Sequence, residues 1–405
     1  MQSQSQRRAS QALSIASDIL DASDHGDSKR DRPHLVEGNV KLTMILPREE
    51  RQLESNDQHK TMCIRFSQDG SVIAVGQADG AIKLYNADTG QCLYVLTDDD
   101  ITKFHLPVTS IHFKPYEDSD KVEHKSILIA TYASGHIKFW HYTSSQCLQT
   151  INEERQTLSA AFNPSPSNMF ATCGANPQLY LYDLKTKTKI RTLEASDTRN
   201  VMNGHKARVY VVQFHPRDQN IFLSGGWDDT VQCLTSALSV TLDRSKIAPL
   251  PCGQAVEPKA KCPLGRSLVF LIIYLEMKIY GPHICGDALD IDPIHNHIVT
   301  GSWRREDVLE IWHFESAEKI KTVPQDPSTN SMLYSAQWLG KENIMCGGCN
   351  PNMAKIIDRG TLNTVGQLVD LASGVYCMDH DHQIRPKIAA GASNKVYIMK
   401  MEKRQ

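Results

Sequence analysis

The chain has 405 residues, with 44 Lys plus Arg, 46 Asp plus Glu and a formal net charge of −2. No long basic run provides the phosphate neutralisation that general nucleic-acid binding requires, so nucleic acid is not predicted as a partner. The longest apolar run, Leu268 to Leu275, is shorter than the roughly 20 residues of a membrane helix, so no membrane span is predicted. Eleven scattered cysteines and no opening signal segment favour an intracellular protein of the cytoplasm, the nucleus or both.

The first 35 residues are rich in Ser, Gln, Asp and Arg. This composition buries too little apolar surface to offset the entropy of ordering a chain, so residues 1–35 are predicted to be a disordered tail.

A repeated unit follows the tail. In each repeat one short strand is predicted to end at an anchor residue, and the anchors are Phe66, Phe113, Phe162, Phe214, Ile291, Trp338 and His380. Their spacings are 47, 49, 52, 77, 47 and 42 residues, so six intervals separate seven units. Behind each anchor come a turn, a near-continuous apolar strand, a second turn and an alternating strand, such as Val72 to Val75 and Ile82 to Tyr85. Periods near 40 to 45 residues with several strands per unit are typical of β-propellers.

These repeats, over residues 61–400, resemble the WD-repeat family, which is marked by a Gly-His dipeptide, a turn aspartate and a closing Trp-Asp pair. No repeat has Trp-Asp at its closing position, where the pairs read, for example, Tyr182-Asp183 and Ile357-Asp358. The resemblance implies two structural hydrogen-bond sets: His205, Ser224 and Asp228 in one repeat, and His283, Thr300, Asp307 or Glu306, and Trp312 in the next. It also implies an all-β fold, a seven-bladed β-propeller; the alternative, an unrelated β-sandwich, would lack this period.

The seventh repeat has only three strands before the sequence ends at Gln405. Val40 to Leu46 is a β-favouring run ahead of the first repeat, and its pairing with Val396 to Met399 would remove an exposed edge. The sequence therefore predicts a propeller over residues 36–405 that is closed by an N-terminal strand.

The fourth repeat is irregular. Residues from about 235 to 277 combine four prolines, two cysteines and the apolar run noted above, and no repeat pattern is visible in them. This segment is either a loop insertion or a variant sequence that replaces the usual strands. Both alternatives remain open at the level of sequence.

Three short motifs offer thiols or imidazoles for chemistry. Cys346 and Cys349 have the spacing of a zinc or redox pair, but no second pair accompanies them, so they are interpreted as structural. The pairs His295 with His297 and His380 with His382 fall in or beside turns, where polar residues are ordinary. No catalytic, cofactor-binding or metal-binding residue is predicted, and no cofactor.

The resemblance implies a non-catalytic scaffold that docks other proteins in a multi-subunit assembly. One alternative is a substrate receptor of a ubiquitin ligase, although the Trp-Asp followed two residues later by Arg that often marks such receptors is absent. A less favoured alternative is a propeller hydrolase. The sequence does not set the oligomeric state.

The partner-binding residues are predicted from the loops that join second to third strands. Trp227 precedes Asp228, and Trp303, Arg304 and Arg305 occupy the corresponding loop of the next repeat. Trp and Arg are enriched at interface hot spots, and guanidinium groups pair with carboxylates or phosphates. The alternative is that each indole packs locally on its own blade. The acidic run from Asp98 to Asp100 is expected on the same face, where it would repel an acidic partner.

Overall fold

The computed structural model describes residues 36–47, 59–116, 125–164, 168–195, 204–235, 275–325 and 331–402. The described residues form seven antiparallel sheets. The predicted disordered tail lies outside the described residues.

Two strands precede the first repeat: β1 (Val36–Gly38) and β2 (Val40–Leu46). Blades 1 to 3 follow, with a single short helix between the first two. Blade 1 contains β3 (Thr61–Phe66), β4 (Val72–Gln77), β5 (Ile82–Asn86) and β6 (Cys92–Leu96), followed by α1 (Asp99–Phe104); blade 2 contains β7 (Val108–Phe113), β8 (Ile127–Tyr132), β9 (His136–His141) and β10 (Gln146–Asn152); blade 3 contains β11 (Thr157–Phe162), β12 (Met169–Gly174), β13 (Leu179–Asp183) and β14 (Lys189–Leu193).

Blades 4 to 7 complete the ring. Blade 4 contains β15 (Val209–Phe214), β16 (Ile221–Gly226), β17 (Thr230–Thr235) and β18 (Leu275–Tyr280); blade 5 contains β19 (Leu289–Asp292), β20 (His297–Gly301), β21 (Leu309–His313) and β22 (Lys319–Thr322); blade 6 contains β23 (Met332–Leu339), β24 (Asn343–Cys349), β25 (Met353–Asp358) and β26 (Thr364–Leu368); blade 7 contains β27 (Val375–His380), β28 (Lys387–Ala392) and β29 (Lys395–Met401).

The first strand of every blade lies innermost, and each of these strands contacts the first strand of the next blade, including β27 with β3. The seven sheets therefore close a circle around a central channel. Strands in the second position are apolar and buried on both faces, as β4 and β12 show, whereas outer strands such as β10 are largely exposed. The predicted seven-bladed β-propeller is confirmed.

The ring closes through β2, which pairs antiparallel with β29 from Val40 opposite Met401 to Leu46 opposite Val396. The predicted closing strand is thus present at the predicted position. It forms the outer strand of blade 7, next to the three strands that the described residues of the seventh repeat supply.

A second N-terminal contact was not predicted. β1 pairs with β26, which makes blade 6 a five-stranded sheet. Between β1 and β2 the chain crosses from blade 6 to blade 7 at Gly38 and Asn39, and Gly38 has a φ of +78°. A Cβ at Gly38 would lie 2.4 Å from the Val365 carbonyl oxygen, so this crossing requires glycine. We call β1 and β2 together the N-terminal strand pair.

Blade 4 is complete despite its irregular sequence. β17 ends at Thr235, and β18 pairs with it from Leu275 to Tyr280. Both strands reach into the segment predicted as irregular, while residues 236–274 lie outside the described residues. The segment therefore connects the third and fourth strands of blade 4.

Candidate partner-binding face

Loops of two kinds lie on one face of the propeller, which we call the top face. One kind joins the second strand of a blade to its third, and the other joins the fourth strand to the next blade. The sequence of blade 4 places His205 in the second kind of loop and Asp228 in the first. The hydrogen bonds between such loops decide which side chains are available to a partner.

His205 is buried between these loops. Its Nδ1 lies 3.0 Å from Asp228 Oδ1, and its Nε2 lies 2.7 Å from Ser224 Oγ. Burial alone would raise the pKa of Asp228, but hydrogen bonds from His205, the Lys206 amide and Thr230 lower it to about 2. The structure thus brings together His205, Ser224 and Asp228, in a set that links the loop between blades 3 and 4 to the loop between β16 and β17.

The corresponding residues of blade 5 are arranged differently. Trp312 Nε1 donates to Thr300 Oγ1 at 2.9 Å, so this part of the expected set is brought together. His283 Nδ1 instead lies 2.7 Å from Asp229 Oδ1, in a loop of blade 4. Asp307 is exposed, and its backbone carbonyl accepts hydrogen bonds from Arg304. The structure therefore does not bring Asp307 to His283.

Blade 3 contains a buried set that the sequence analysis missed, because Glu153 stands where a histidine was sought. Glu153 Oε1 accepts from Thr172 Oγ1 at 2.6 Å and from Tyr182 Oη at 2.8 Å. Glu153 Oε2 accepts from Arg155 Nε at 2.8 Å and from Thr157 Oγ1 at 2.8 Å. The signal in the sequence was the carboxylate of Glu153 at this position, since a carboxylate can accept hydrogen bonds in place of an imidazole.

Trp227 is half-buried and packs within the propeller. Its indole ring stacks on His283, with ring centroids 5.8 Å apart, and the Arg208 guanidinium lies 4.7 Å from its centroid. The indole nitrogen is buried and makes no hydrogen bond of normal geometry; the thiol of Cys285 lies beside it. Only part of the Trp227 side chain therefore remains available to a partner.

Trp303 and Arg304 are also held by neighbouring residues. Trp303 packs against the core, with its ring 6.4 Å from that of Tyr334. Arg304 Nη1 donates to the Gly281 carbonyl at 2.6 Å, and its Nη2 donates to Glu310 Oε2 at 2.9 Å. Arg305 is exposed. The structure thus places all four predicted partner-binding residues on one sector of the top face, where Trp227, Trp303 and Arg304 contact neighbouring residues of the propeller.

Tyr280, which the sequence analysis did not single out, lies in the same sector at the end of β18. Its side chain is 57% exposed, and the Lys278 ammonium lies 5.4 Å from its ring centroid. We define the 4–5 sector as Trp227, Tyr280, His283, Trp303, Arg304 and Arg305.

The acidic run from Asp98 to Asp100 is not a free acidic loop. Asp98 caps α1 through the Ile101 amide at 3.0 Å. Lys138 Nζ, which is almost fully buried, lies 2.5 Å from Asp98 Oδ2 and 3.0 Å from Asp100 Oδ2. A lysine from blade 2 therefore offsets much of the negative charge that was expected to repel an acidic partner.

The imidazole motifs lie away from the 4–5 sector, whereas the Cys349 thiol lies beside the side chains of Tyr334 and Trp303. Cys346 and Cys349 belong to β24 and are buried, and burial raises the pKa of Cys346 to about 12. His295 and His382 lie in turns between first and second strands, on the face opposite the top face. Within the part of the chain that the structure describes, no three His, Cys, Asp or Glu side chains are grouped as metal ligands would be.

On that opposite face, a cluster joins blade 5 to blade 6. Arg359 Nη2 lies 2.5 Å from His297 Nδ1, and Arg359 Nη1 contacts Asp292 and lies 2.9 Å from His295 Nδ1. The guanidinium also lies over the Trp338 ring at 4.4 Å. We call Asp292, His295, His297 and Arg359 the Arg359 cluster.

The top end of the central channel is lined by the first strands. A cavity of about 100 Å³ opens there, bounded on several sides by Tyr210, Tyr334 and Tyr376 and containing the side chains of Arg65 and Asp287. We call this cavity the channel mouth. In the described ranges no helix is long and apolar enough to cross a membrane.

Two family models match parts of the chain. The model for the WD40 domain of anaphase-promoting complex subunit 4 matches residues 44–116, and that for the WD domain, G-beta repeat, matches residues 196–233. The ring of seven blades, with loops joined by the His205 set, defines a seven-bladed β-propeller.

Curated relatives add to these matches. The chain is 32% identical over 92 residues to histone acetyltransferase type B subunit 2 of Candida glabrata, which covers 23% of this chain and 20% of that protein. It is 25% identical over 161 residues to WD repeat-containing protein 89 homolog of Dictyostelium discoideum (40% and 38%) and 25% identical over 179 residues to cleavage stimulation factor subunit 50 of Arabidopsis thaliana (42% and 41%). Each alignment spans less than half of the relative's length. The two family-model matches and these relatives support a WD-repeat family for this chain.

Proposed function

We propose that this WD-repeat propeller is a non-catalytic scaffold that binds another protein through the 4–5 sector of its top face, as part of an intracellular multi-subunit assembly. The observation that carries the proposal is the composition of that sector. It combines an exposed tyrosine, two partly buried tryptophans and an exposed arginine. Tyr, Trp and Arg are the residue types that most often carry binding energy at protein interfaces.

The framework of the sector is fixed before a partner arrives. Arg304 links the loop after β18 to the loop after β20, and His283 links the same region to Asp229. A surface that is already ordered loses little conformational entropy on binding, which favours affinity. Two relatives carry the word subunit in their names, which is consistent with a role for this chain in an assembly.

The test uses the two exposed residues of the sector. In affinity purification from native cells with mass spectrometry, Tyr280→Ala combined with Arg305→Ser is expected to reduce capture of the main partner at least tenfold. Truncating one interface anchor typically costs about 2 kcal/mol, which exceeds the 1.4 kcal/mol that corresponds to tenfold.

Leu148→Ala is the matched control, because Leu148 is 53% exposed on β10 of blade 2, in another part of the ring. This variant should capture the partner as the wild type does. Undiminished capture by the folded double variant would exclude the 4–5 sector as the docking surface.

A further inference from the structure

A lysine that the proposed scaffold function does not use lies where blade 3 meets blade 2, on the face opposite the top face. Lys187 belongs to the turn that joins β13 to β14, and its side chain is half-buried. Its ammonium nitrogen lies 4.1 Å from the centroid of the Phe139 ring, which comes from β9 of blade 2. The same nitrogen donates a hydrogen bond to the backbone carbonyl of Leu184, within its own turn. The amine is therefore held in place against an aromatic ring.

The surroundings of this amine offer little negative charge. Among the described residues, Lys187 forms no ion pair. Asp183 stands in the same turn, but its Oδ1 accepts from the backbone amides of Lys185 and Thr186, at 2.8 and 2.7 Å. Lys114, which follows β7 of blade 2, acts on Lys187 as a second positive charge. The ammonium form of Lys187 is thus poorly compensated.

The protonation state of Lys187 follows from these contacts. Burial lowers the pKa of Lys187, Lys114 lowers it further and Asp183 raises it, so that the pKa is brought to about 8. At pH 7.5 about a quarter of such side chains carry a neutral amine, against roughly 0.1% for a lysine with the usual pKa of about 10.4. A neutral amine has the free electron pair that a nucleophile needs.

The site also suits the product of an acylation. An acylated lysine is uncharged, so burial and repulsion by Lys114 no longer oppose it. It keeps one N–H group, which can still donate to the Leu184 carbonyl. The acyl group is apolar and can pack against Phe139. Only the contact of the cation with the ring and the attraction of Asp183 are lost.

We infer that Lys187 is a site of lysine acylation, at which an acyl thioester such as acetyl coenzyme A transfers its acyl group directly to Nζ. The electron pair of the neutral amine forms a carbon–nitrogen bond at the thioester carbonyl. The carbon–sulfur bond breaks, and the thiolate leaves with the electron pair of that bond. The proton released by the amine goes to the thiolate or to water. This inference goes beyond the proposed scaffold function and does not depend on it.

The experiment uses the purified full chain, acetyl coenzyme A as the acyl donor, and mass spectrometry of peptides from a protease that does not cleave at lysine. These peptides give a separate initial rate for each lysine. Lys185 is the control inside the same molecule, because it lies in the same turn and is exposed. At pH 7.5 Lys187 is expected to react roughly tenfold faster than Lys185, since its larger neutral fraction outweighs the lower nucleophilicity of a less basic amine. Acylation of Lys187 at the rate of Lys185 or below would overturn the inference.

The dependence of each rate on pH gives a second readout. The rate at Lys187 should be half-maximal near pH 8 and then level off, whereas the rate at Lys185 should keep rising about tenfold per pH unit up to pH 9. If the rate at Lys187 rises in parallel with that at Lys185, the charge of Lys187 is compensated, for example by the four carboxylates of residues 117–124, and the inference fails.

Two variants test the charge environment on which the inference rests. Lys114→Gln removes the positive charge that acts on Lys187, so the midpoint should move to higher pH and acylation at pH 7.5 should slow severalfold. Lys341→Gln is the matched control, because Lys341 is an exposed lysine between β23 and β24 of blade 6, and it should leave both values unchanged. Identical midpoints in the two folded variants would contradict the inference.

Discussion

At the scale of single residues, the Arg359 cluster shows how a neighbour sets the protonation state of a histidine. An arginine side chain can only donate hydrogen bonds, so His297 Nδ1 must accept from Arg359 and the imidazole must be neutral. Burial lowers the pKa of His297, and the nearby Arg359 lowers it further, while Asp292 acts in the opposite direction. The neighbouring His313 and His295 lower the pKa of His297 as well.

This arrangement predicts that acid weakens the contact between blades 5 and 6. Because the pKa of His297 is lower in the folded protein than in the unfolded chain, the unfolded chain binds more protons as the pH falls. The stabilisation is complete above the unfolded pKa of about 6.5 and is lost as the pH falls through the lower, folded pKa. His297→Asn should reduce the loss of stability between pH 7.5 and 5.5, since a carboxamide oxygen can accept from Arg359 but cannot be protonated in this range. Urea unfolding at several pH values measures the difference.

His141→Asn is the control for that prediction. His141 lies on blade 2, and its Nδ1 lies 2.8 Å from Ser144 Oγ instead of near an arginine. Its substitution should leave the pH dependence as in the wild type. If His297→Asn loses as much stability as the wild type between pH 7.5 and 5.5, another group is responsible for the pH dependence.

The predicted partner-binding residues show what a sequence reveals at this scale and what it does not. The repeat pattern was sufficient to place Trp227 and Trp303 on adjacent loops. It could not reveal that Arg208 and His283 cover the faces of Trp227, because these residues come from other loops and meet it only after folding. Arg304 was likewise recognisable as a cation, but its acceptor at Gly281 lies 23 residues away.

At the scale of elements, strand positions followed from local patterns, because a strand buried on both faces must be apolar throughout. β1 was not predicted, because it lacks such a local pattern. Its three residues, Val36–Gly38, carry no alternating pattern, and their position depends on a pairing with β26 more than 300 residues away. β18 was also hard to locate, since its separation from β17 exceeds the usual length of such a connection.

The N-terminal strand pair packs closely enough to give a second prediction. Gly366, on β26, faces Val40, and a Cβ at Gly366 would lie 1.9 Å from Val40 Cγ2. Gly366→Ala should therefore lower the free energy of unfolding by roughly 1–3 kcal/mol, as overpacking does in other cores. Chemical denaturation measures the change.

A double variant identifies the cause. Val40→Ala removes the methyl groups that Gly366→Ala would strike, so the two substitutions together should be less destabilising than the sum of their separate effects. Gly360→Ala is the matched control, because the nearest atom to its Cβ is a side-chain oxygen of Asp358 at 3.4 Å. Additive effects of the two substitutions would contradict the proposed clash.

At the scale of the whole molecule, closure of the ring depends on β2. Removing residues 1–35 should leave the melting temperature unchanged, since β1 and β2 are retained. Removing residues 1–46 should expose the edge of β29 and cause aggregation, because an unpaired strand edge readily pairs with other chains. Thermal melting and size-exclusion chromatography distinguish the two truncations. If both remain monomeric with the same melting temperature, β2 is dispensable for closure.

The same pairing bears on how the protein is made. The Thr43 hydroxyl binds the Ile398 carbonyl across a sequence separation of 355 residues. At about 5–20 residues per second, a ribosome takes roughly 20–70 s to cover that distance. Throughout this time β2 has been synthesised but its partner β29 has not, so the apolar residues of β2 remain unpaired during translation. Folding of such a chain depends on protection of β2 until β29 has been synthesised, and the yield on expression should respond to the supply of molecular chaperones.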